Sequence, residues 1–136
     1  MTQASTPLSP QPGRRVLVLD DDSFLLELLS EMLSEIGPFD IYTETDAKRA
    51  LQTLSTAAPD VLICDLSLPD MDGIEFLQAA AGRAYQGEVI LLSGMDVGVR
   101  KAAERLARAH GLRVLGTYRK PISLDDLRAA LTGTAT

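Results

Sequence analysis

The stretch VLICDLSLPDMDG, residues 61–73, decides the fold, because four apolar residues run directly into a carboxylate and then into a turn through Pro69 and Gly73. A continuous apolar run is typical of a strand that is covered on both faces. An ionised Asp is costly in such a strand unless it stands at the strand's end and is paired or coordinated. Asp65 therefore either caps a turn or takes part in chemistry.

The rest of the chain repeats the same alternation of strand and helix signals. Apolar runs predict strands at residues 15–20, 39–43, 61–65, 88–92 and 112–118. Helical spacing predicts five helices with inward residues Leu25, Leu29, Met32 and Ile36; Ala47, Ala50, Leu51 and Leu54; Ile74, Leu77 and Ala81; Val99, Ala102, Leu106 and Ala109; and Leu124, Leu127 and Leu131. Five β–α units in a row predict an α/β fold, a parallel sheet with helices on both faces and right-handed crossovers.

Length and composition indicate one globular domain. The chain has 136 residues, of which 46% are hydrophobic and 24% charged, and it contains no Trp, so the core is expected to be aliphatic. We expect a flexible tail at residues 1–13, the domain at 14–132 and a short tail at 133–136. The chain leaves no room for an output module after the last helix, so it acts alone or is a fragment.

Charge, cysteine content and hydropathy argue against nucleic-acid binding, an internal disulfide and a membrane anchor. A net charge of −6 argues against direct binding of nucleic acid. The lone Cys64 lies within an apolar run and is interpreted as inert packing; a single Cys forms no internal disulfide, which is consistent with the cytoplasm. No apolar segment approaches the roughly 20 residues that span a bilayer, so no membrane anchor is expected.

Polar residues of complementary kinds follow four of the predicted strands: Asp20 and Asp21, then Asp65, then Ser93, then Lys120. Ligands of open parallel sheets bind outside the carboxyl ends of the strands. Carboxylates gathered there repel one another unless a cation neutralises them, and oxygen ligands without His or Cys suit Mg2+. A carboxylate, a divalent cation, a hydroxyl and a Lys are the parts needed to transfer a phosphoryl group onto an Asp.

Each residue also has a structural interpretation. Asp22 or Ser23 is expected to cap the first helix, as Asp at such positions commonly does. Ser93 with Gly94 is compatible with a simple turn, and Lys120 alone with a solvated side chain. The isomer of the Lys120–Pro121 peptide bond stays open at this stage. The combination of all four strand ends is what favours a phosphoryl-transfer site.

These residues carry a resemblance to the receiver domains of two-component response regulators. The motifs are VLVLDDDS (16–23), CDLSLPDMDG (64–73), ILLSG (90–94) and RKPI (119–122), in order and with the expected helices between them. The resemblance covers roughly residues 14–132. It implies a flavodoxin-like, CheY-like fold with strand order 2-1-3-4-5.

The resemblance also implies roles for individual residues. Asp65 would accept a phosphoryl group from a histidine kinase or phosphotransfer protein, and Ser93 and Lys120 would contact that group. Mg2+ would be held by Asp20, Asp21, Asp65 and the backbone carbonyl of Ser67, with Asp21 a more direct ligand than Asp20. Such a domain catalyses only its own phosphorylation and dephosphorylation, so its status as an enzyme is left open.

The sequence departs from the family pattern beside the Lys. Three positions before Lys120 the family commonly has an aromatic switch residue, whereas this chain has Thr117 there and Tyr118 one residue later. Because neighbours on a strand point to opposite faces, Tyr118 is interpreted as packing rather than as a displaced switch. Whether either residue forms a working switch stays open.

The sequence gives fewer signals about the domain or effector that the protein would control. The expected surface for an output domain or effector is the face of helix 4, strand 5 and helix 5, and a homodimer is left open. Arg100, Lys101, Arg105 and Arg108 make helix 4 basic, which indicates a solvated face or a docking face. The segments LSGMD and AAERLARAHGLRVLGTYRKPIS resemble the corresponding segments of receivers fused to EAL-type cyclic di-GMP phosphodiesterases.

Two alternative functions remain compatible with the sequence, a phosphatase and a binding module. VLVLDDD ends a strand with a D-x-D pattern, so a haloacid-dehalogenase-like phosphatase would use Asp20 as nucleophile and Asp22 as acid and base. That reading leaves Asp65 unexplained. The other rival is a degenerate receiver that only binds partners, against which the complete acidic set argues.

Overall fold

The computed structural model of the chain describes residues 13–68, 73–94 and 97–133. Within these ranges the strands are β1 Arg14–Leu19, β2 Phe39–Glu44, β3 Val61–Asp65, β4 Glu88–Ser93 and β5 Arg113–Arg119. The helices are α1 Ser23–Ile36, α2 Ala47–Ala57, α3 Gly73–Gly82, α4 Val97–Ala109 and α5 Leu124–Thr132. Apart from Gly13 and Gly133, the predicted tails lie outside the described residues, as do residues 69–72 of the predicted turn.

The strands form a parallel sheet in the order β2-β1-β3-β4-β5. The predicted fold class and strand order are therefore confirmed. The chain moves outward from β1 to β2, then crosses back over β1 to β3, so the strand order reverses between β1 and β3. Ligand sites of such sheets form at the carboxyl edge of this reversal.

Two apolar layers cover the sheet, one on each face. The α1–α5 core includes Val16, Ile63 and Leu127, and the α2–α3–α4 core includes Leu17, Leu62 and Phe76. Alternate residues of the central strands enter opposite layers, which is why these strands read as continuous apolar runs. Cys64 belongs to the second layer, and burial raises the pKa of its thiol so that it stays protonated.

The predicted inward stripe of α4 was wrong. The structure exposes Val99, Ala102 and Ala109, half-buries Leu106, and buries Ala103 and Ala107. The methyl side chains of the two buried alanines let α4 approach the sheet closely, whereas the larger apolar residues fit only at the margin of the contact. The helix is therefore turned by about one residue from the predicted orientation.

Smaller corrections apply to the other helices. In α1 the predicted Leu29 and Met32 are buried, but Leu26 and Leu33 complete the stripe, and Leu25 and Ile36 are only half-buried. In α3 Leu77 is buried with Phe76 and Ala80, while Ile74 and Ala81 are half-buried. In α5 Leu127 and Leu131 are buried and Leu124 is half-buried. A wide apolar stripe leaves the rotation of a helix poorly defined by spacing alone.

A β-bulge interrupts the pairing of β4 with β5. Val89 pairs with Val114, but the next residue of β4, Ile90, pairs with Gly116, so Leu115 is an extra residue. The bulge shifts the alternation of the rest of β5 by one position. Thr117 therefore faces α4, whereas Tyr118 packs against the α1–α5 core.

None of the helices in the described ranges is at once long and apolar enough to cross a membrane.

The junction between β3 and α3 depends on a close backbone approach at Gly73. The Gly73 N–H donates to the Leu66 carbonyl at 3.2 Å. A Cβ atom at position 73 would lie 2.5 Å from Leu66 Cα and 2.7 Å from its carbonyl oxygen. Backbone atoms cannot move aside as a flexible side chain can, so only Gly fits here.

We predict that Gly73→Ala lowers the free energy of unfolding by about 1–3 kcal/mol, the usual cost of overpacking. Gly82→Ala in the same helix is the matched control, because a Cβ there meets nothing within 4 Å. It should leave stability unchanged or raise it slightly. Urea unfolding followed by circular dichroism measures both, and equal stability of the two variants would contradict the assignment of Gly73.

Candidate phosphoryl-transfer site

Two buried carboxylates meet at the carboxyl edge of the sheet and share one ammonium group. Asp20 follows β1 and Asp65 ends the adjacent β3, and each is only 1% exposed. Lys120, which follows β5, places Nζ 3.0 Å from Asp20 Oδ2 and 3.1 Å from Asp65 Oδ2. Buried carboxylates side by side are tolerated when a cation compensates them, and Lys120 supplies one positive charge for the two.

Asp21 completes a group of acids with the geometry of a cation site. Carboxylate oxygens of Asp20, Asp21 and Asp65 lie within 4.8 Å of one another, and Asp21 is exposed. Asp20 Oδ1 accepts the N–H of Asp22 at 2.9 Å, but the buried Oδ2 accepts no hydrogen bond of good geometry and has only its ion pair with Lys120. An all-oxygen donor set with a coordinatively unsatisfied buried oxygen fits Mg2+.

Ser67 helps to orient the Asp65 carboxylate. Its backbone N–H donates to Asp65 Oδ1 at 2.9 Å, while Lys120 donates to Oδ2 at 3.1 Å. Each oxygen of Asp65 therefore accepts a hydrogen bond, and the two bonds fix the orientation of the carboxylate. The use of the Ser67 carbonyl as a metal ligand stays a prediction.

Burial and charge shift the pKa values of this pair in a consistent direction. Desolvation raises the pKa of Asp65, opposed by the N–H of Ser67 and by Lys120. Desolvation alone would lower the pKa of Lys120, but its close contacts with the carboxylates of Asp20 and Asp65 outweigh it and the pKa is raised. Lys120 is therefore held in its charged form beside a carboxylate that is harder to ionise than usual.

Ser93 connects the ends of β4 and β5. It is fully buried at the last position of β4, and its carbonyl accepts the N–H of Lys120 at 2.9 Å. Ser93 also pairs in register with Arg119, the residue before Lys120. The Lys120–Pro121 peptide bond, left open by the sequence, is cis.

Asp22 does not belong to the acidic group. Its Oδ1 accepts the N–H groups of Phe24 and Leu25 at 2.9 and 3.4 Å, so it caps α1 as expected. A capping carboxylate on the exposed start of a helix is poorly placed to serve as the acid and base of a phosphatase. The haloacid-dehalogenase alternative is not favoured.

Comparison with known families gives a direct match. The family model of the response regulator receiver domain matches residues 16–132. The chain belongs to the response regulator receiver domains. Receivers of two-component systems have the standard role of phosphoryl-accepting switches, and they generally work with histidine kinases and output domains.

Curated relatives of this receiver are longer proteins. The cyclic di-GMP phosphodiesterase RocR of Pseudomonas aeruginosa is 36% identical over 118 residues, which is 86% of this chain and 30% of RocR. The regulator of RpoS of Escherichia coli is 29% identical over 120 residues, 88% of this chain and 34% of that protein. The receiver thus spans about a third of the length of these relatives.

Solved structures agree with the fold. A response regulator from Colwellia psychrerythraea is 36% identical with a TM-score of 0.77, and the match covers 91% of this receiver and 97% of that chain. The chemotaxis protein CheY4 of Vibrio cholerae is 25% identical with a TM-score of 0.76, covering 90% and 99%.

The region that departs from the family pattern contains polar contacts that sequence reasoning missed. Thr117 donates to Glu104 of α4, and Arg108 of the same helix also binds Glu104. Arg108 is therefore not part of a purely solvated basic face. The spacing of Glu104 and Arg108, four residues apart on a helix, was the available signal for their pairing.

We predict that Mg2+ raises the melting temperature of the receiver and that Asp21→Asn requires at least about tenfold more Mg2+ for the same rise, because a lost ligand weakens binding more than a lost supporting contact. Asp125→Asn is the control, since Asp125 lies in α5 and is 95% exposed. Thermal melts across a Mg2+ titration, with chelator added at the end, measure the effect. Equal Mg2+ responses of the two variants would remove Asp21 from the ligand set.

Proposed function

We propose that Asp65 is the residue of this receiver that accepts the phosphoryl group, with phosphohistidine of a kinase or phosphotransfer protein as donor. The observation that carries the proposal is that Asp65 contacts Lys120 at 3.1 Å and lies within 4.8 Å of two further carboxylates, those of Asp20 and Asp21. Transfer to a carboxylate needs positive charge close to the negative oxygens of the incoming phosphoryl group. Lys120 would supply one such charge, and a cation bound by the acidic group would supply more.

In the proposed reaction a carboxylate oxygen of Asp65 forms the new P–O bond. The P–N bond to the donor imidazole breaks, and its electron pair returns to the ring nitrogen, so the product is an acyl phosphate. Lys120 stays protonated and offsets the charge of the phosphoryl oxygens, and Ser93 donates a hydrogen bond to one of them. Asp20, Asp21, Asp65 and the Ser67 carbonyl would hold Mg2+, which would supply positive charge to offset the acids and the charge of the transferred group.

We propose that the donor protein binds at the surface beside the site. Leu25 and Leu28 of α1 line a small cleft together with Asp20, Lys120 and Pro121. Phe24, one residue before Leu25, is 69% exposed. Exposed aromatic and aliphatic side chains next to a reaction centre are suited to hold a protein donor, whereas a small donor needs no such contact.

For the output, we propose that the helix 4, strand 5 and helix 5 face transmits the phosphorylation state to another domain or effector. The likeness to RocR supports an EAL-type cyclic di-GMP phosphodiesterase as that output, because RocR is named as a cyclic di-GMP phosphodiesterase. The cytoplasm is the proposed compartment, where phosphohistidine donors and such an output would meet. A full-length gene that encodes another type of output would remove the EAL part of this proposal.

We predict that incubation with Mg2+ and acetyl phosphate adds one phosphoryl group to the wild-type chain and none to Asp65→Asn, because the variant lacks the carboxylate that is proposed to form the P–O bond. Intact-mass spectrometry measures the adduct, and hydroxylamine should release it. Asp22→Ser is the matched control, since Ser keeps the helix cap while removing the carboxylate that a phosphatase would use.

An adduct of equal size in Asp65→Asn would overturn the assignment of the acceptor. Loss of the adduct in Asp22→Ser would return the haloacid-dehalogenase mechanism to consideration. A wild-type chain that gains no adduct, under conditions where a known receiver does, would favour the degenerate receiver that only binds partners.

The docking proposal predicts a difference between protein and small donors. We expect Phe24→Ala to slow phosphorylation by a histidine phosphotransfer protein by about tenfold, as loss of an aromatic anchor commonly does, while the rate with acetyl phosphate is unchanged. Tyr42→Ala is the aromatic control, because Tyr42 is 37% exposed on the edge strand β2. Equal slowing with both donors would assign Phe24 a structural role instead.

A further inference from the structure

A polar cluster joins α4 to β5 on the face where the family commonly has an aromatic residue. Thr117 Oγ1 donates to Glu104 Oε1 at 2.7 Å. Arg108 donates to Glu104 Oε2 through Nε at 3.1 Å and Nη2 at 2.8 Å, and Nη2 also donates to the Val114 carbonyl at 3.0 Å. We call Thr117, Glu104 and Arg108 the α4–β5 latch.

Two hydrogen bonds of the latch join the helix to the strand, one from Thr117 to Glu104 and one from Arg108 to the Val114 carbonyl. Both carboxylate oxygens of Glu104 are used, and hydrogen bonds to an ionised group are stronger than neutral ones. The side chain of Glu104 is 30% exposed, so solvent only partly screens these contacts. The hydrogen bond from Thr117, followed by the contacts of Arg108, lowers the pKa of Glu104 and keeps it ionised.

The latch is connected to the reaction centre through the end of β5. Thr117 stands three residues before Lys120, whose ammonium group bridges Asp20 and Asp65. The backbone of Lys120 is in turn bonded to Ser93, and α4 begins at Val97, four residues after Ser93. A displacement of Lys120 or Ser93 toward Asp65 therefore acts on both ends of the contact between α4 and β5.

The latch can open without leaving a charge unpaired. If Thr117 withdraws, Glu104 keeps both hydrogen bonds from Arg108, which lies on the same helix. Thr117 loses one hydrogen bond to a carboxylate at a half-buried position, where water can replace it. A second arrangement without the Thr117 bond would therefore still leave Glu104 paired with Arg108.

We propose that the α4–β5 latch restrains this receiver in its unphosphorylated arrangement, and that the Thr117–Glu104 bond opens when Asp65 carries a phosphoryl group. The proposal rests on the proposed function of Asp65. Glu104 and Thr117 are positioning residues that act through β5 and α4, without contact with the phosphoryl group. A contact made in only one of two arrangements shifts the equilibrium between them by its own free energy.

The test is the affinity of the chain for beryllofluoride in the presence of Mg2+, measured by calorimetry. Thr117→Val keeps the shape and removes the hydroxyl, and it should bind roughly three- to tenfold more tightly, as expected for loss of one partly solvent-screened hydrogen bond from the resting arrangement. Glu104→Ala should also tighten binding. The double variant should gain no more than the larger single effect, because both changes remove the same bond.

Three further variants separate the latch from general effects on folding. Thr117→Ser retains the hydroxyl and should restore wild-type affinity. Thr56→Val makes the same change on the exposed face of α2, and Arg105→Gln removes a neighbouring charge of α4; both residues are exposed and should leave affinity unchanged. Amide hydrogen exchange within α4 should speed up in Thr117→Val and stay as in wild type in the two controls.

Two results would overturn the proposal in different ways. Wild-type binding of beryllofluoride with equal or weaker binding by Thr117→Val would refute the latch and leave the function of Asp65 intact. Failure of the wild-type chain itself to bind beryllofluoride would refute the proposed function, and the latch with it.

Discussion

The ammonium group of Lys120 between the carboxylates of Asp20 and Asp65 is the contact on which the rest of the site depends. Two acids that are each 1% exposed would repel one another without it. The contact needs β1 and β3 to be neighbours and β5 to end at the same edge, and the strand order provides both. The fold thus places two negative charges and one positive charge where a cation and a phosphoryl group would complete the balance.

The polar residues at the strand ends were predictable from the sequence, because a polar residue directly after an apolar run marks such a position whatever the helix rotation or strand register. Asp20, Asp65, Ser93 and Lys120 each follow an apolar run, and parallel strands bring such positions to one edge whatever the details of packing. The family model covers the span that contains all four of these strand ends, residues 16–132. The cap at Asp22 was also predictable, because it depends only on local backbone geometry.

The contacts of α4 were not predictable in the same way. Alanines occur on several sides of this helix, so apolar spacing did not distinguish the buried Ala103 and Ala107 from the exposed Ala102 and Ala109. The partner of Thr117 depends on that rotation and on the register of β5, neither of which a single sequence specifies. A polar residue in place of the usual aromatic signalled an altered region, but the structure was needed to find Glu104 as its partner.

The bulge at Leu115 sets which helix each later side chain of β5 contacts. If β5 kept all its residues but paired without the bulge, Thr117 would lie opposite Leu92 and Tyr118 on the face of Leu91, the reverse of the observed pairing. Regular pairing of the same residues would thus place an aromatic ring, instead of a hydroxyl, beneath α4. Receivers of similar sequence that differ in whether this strand contains a bulge can therefore differ in the chemistry that links the site to α4.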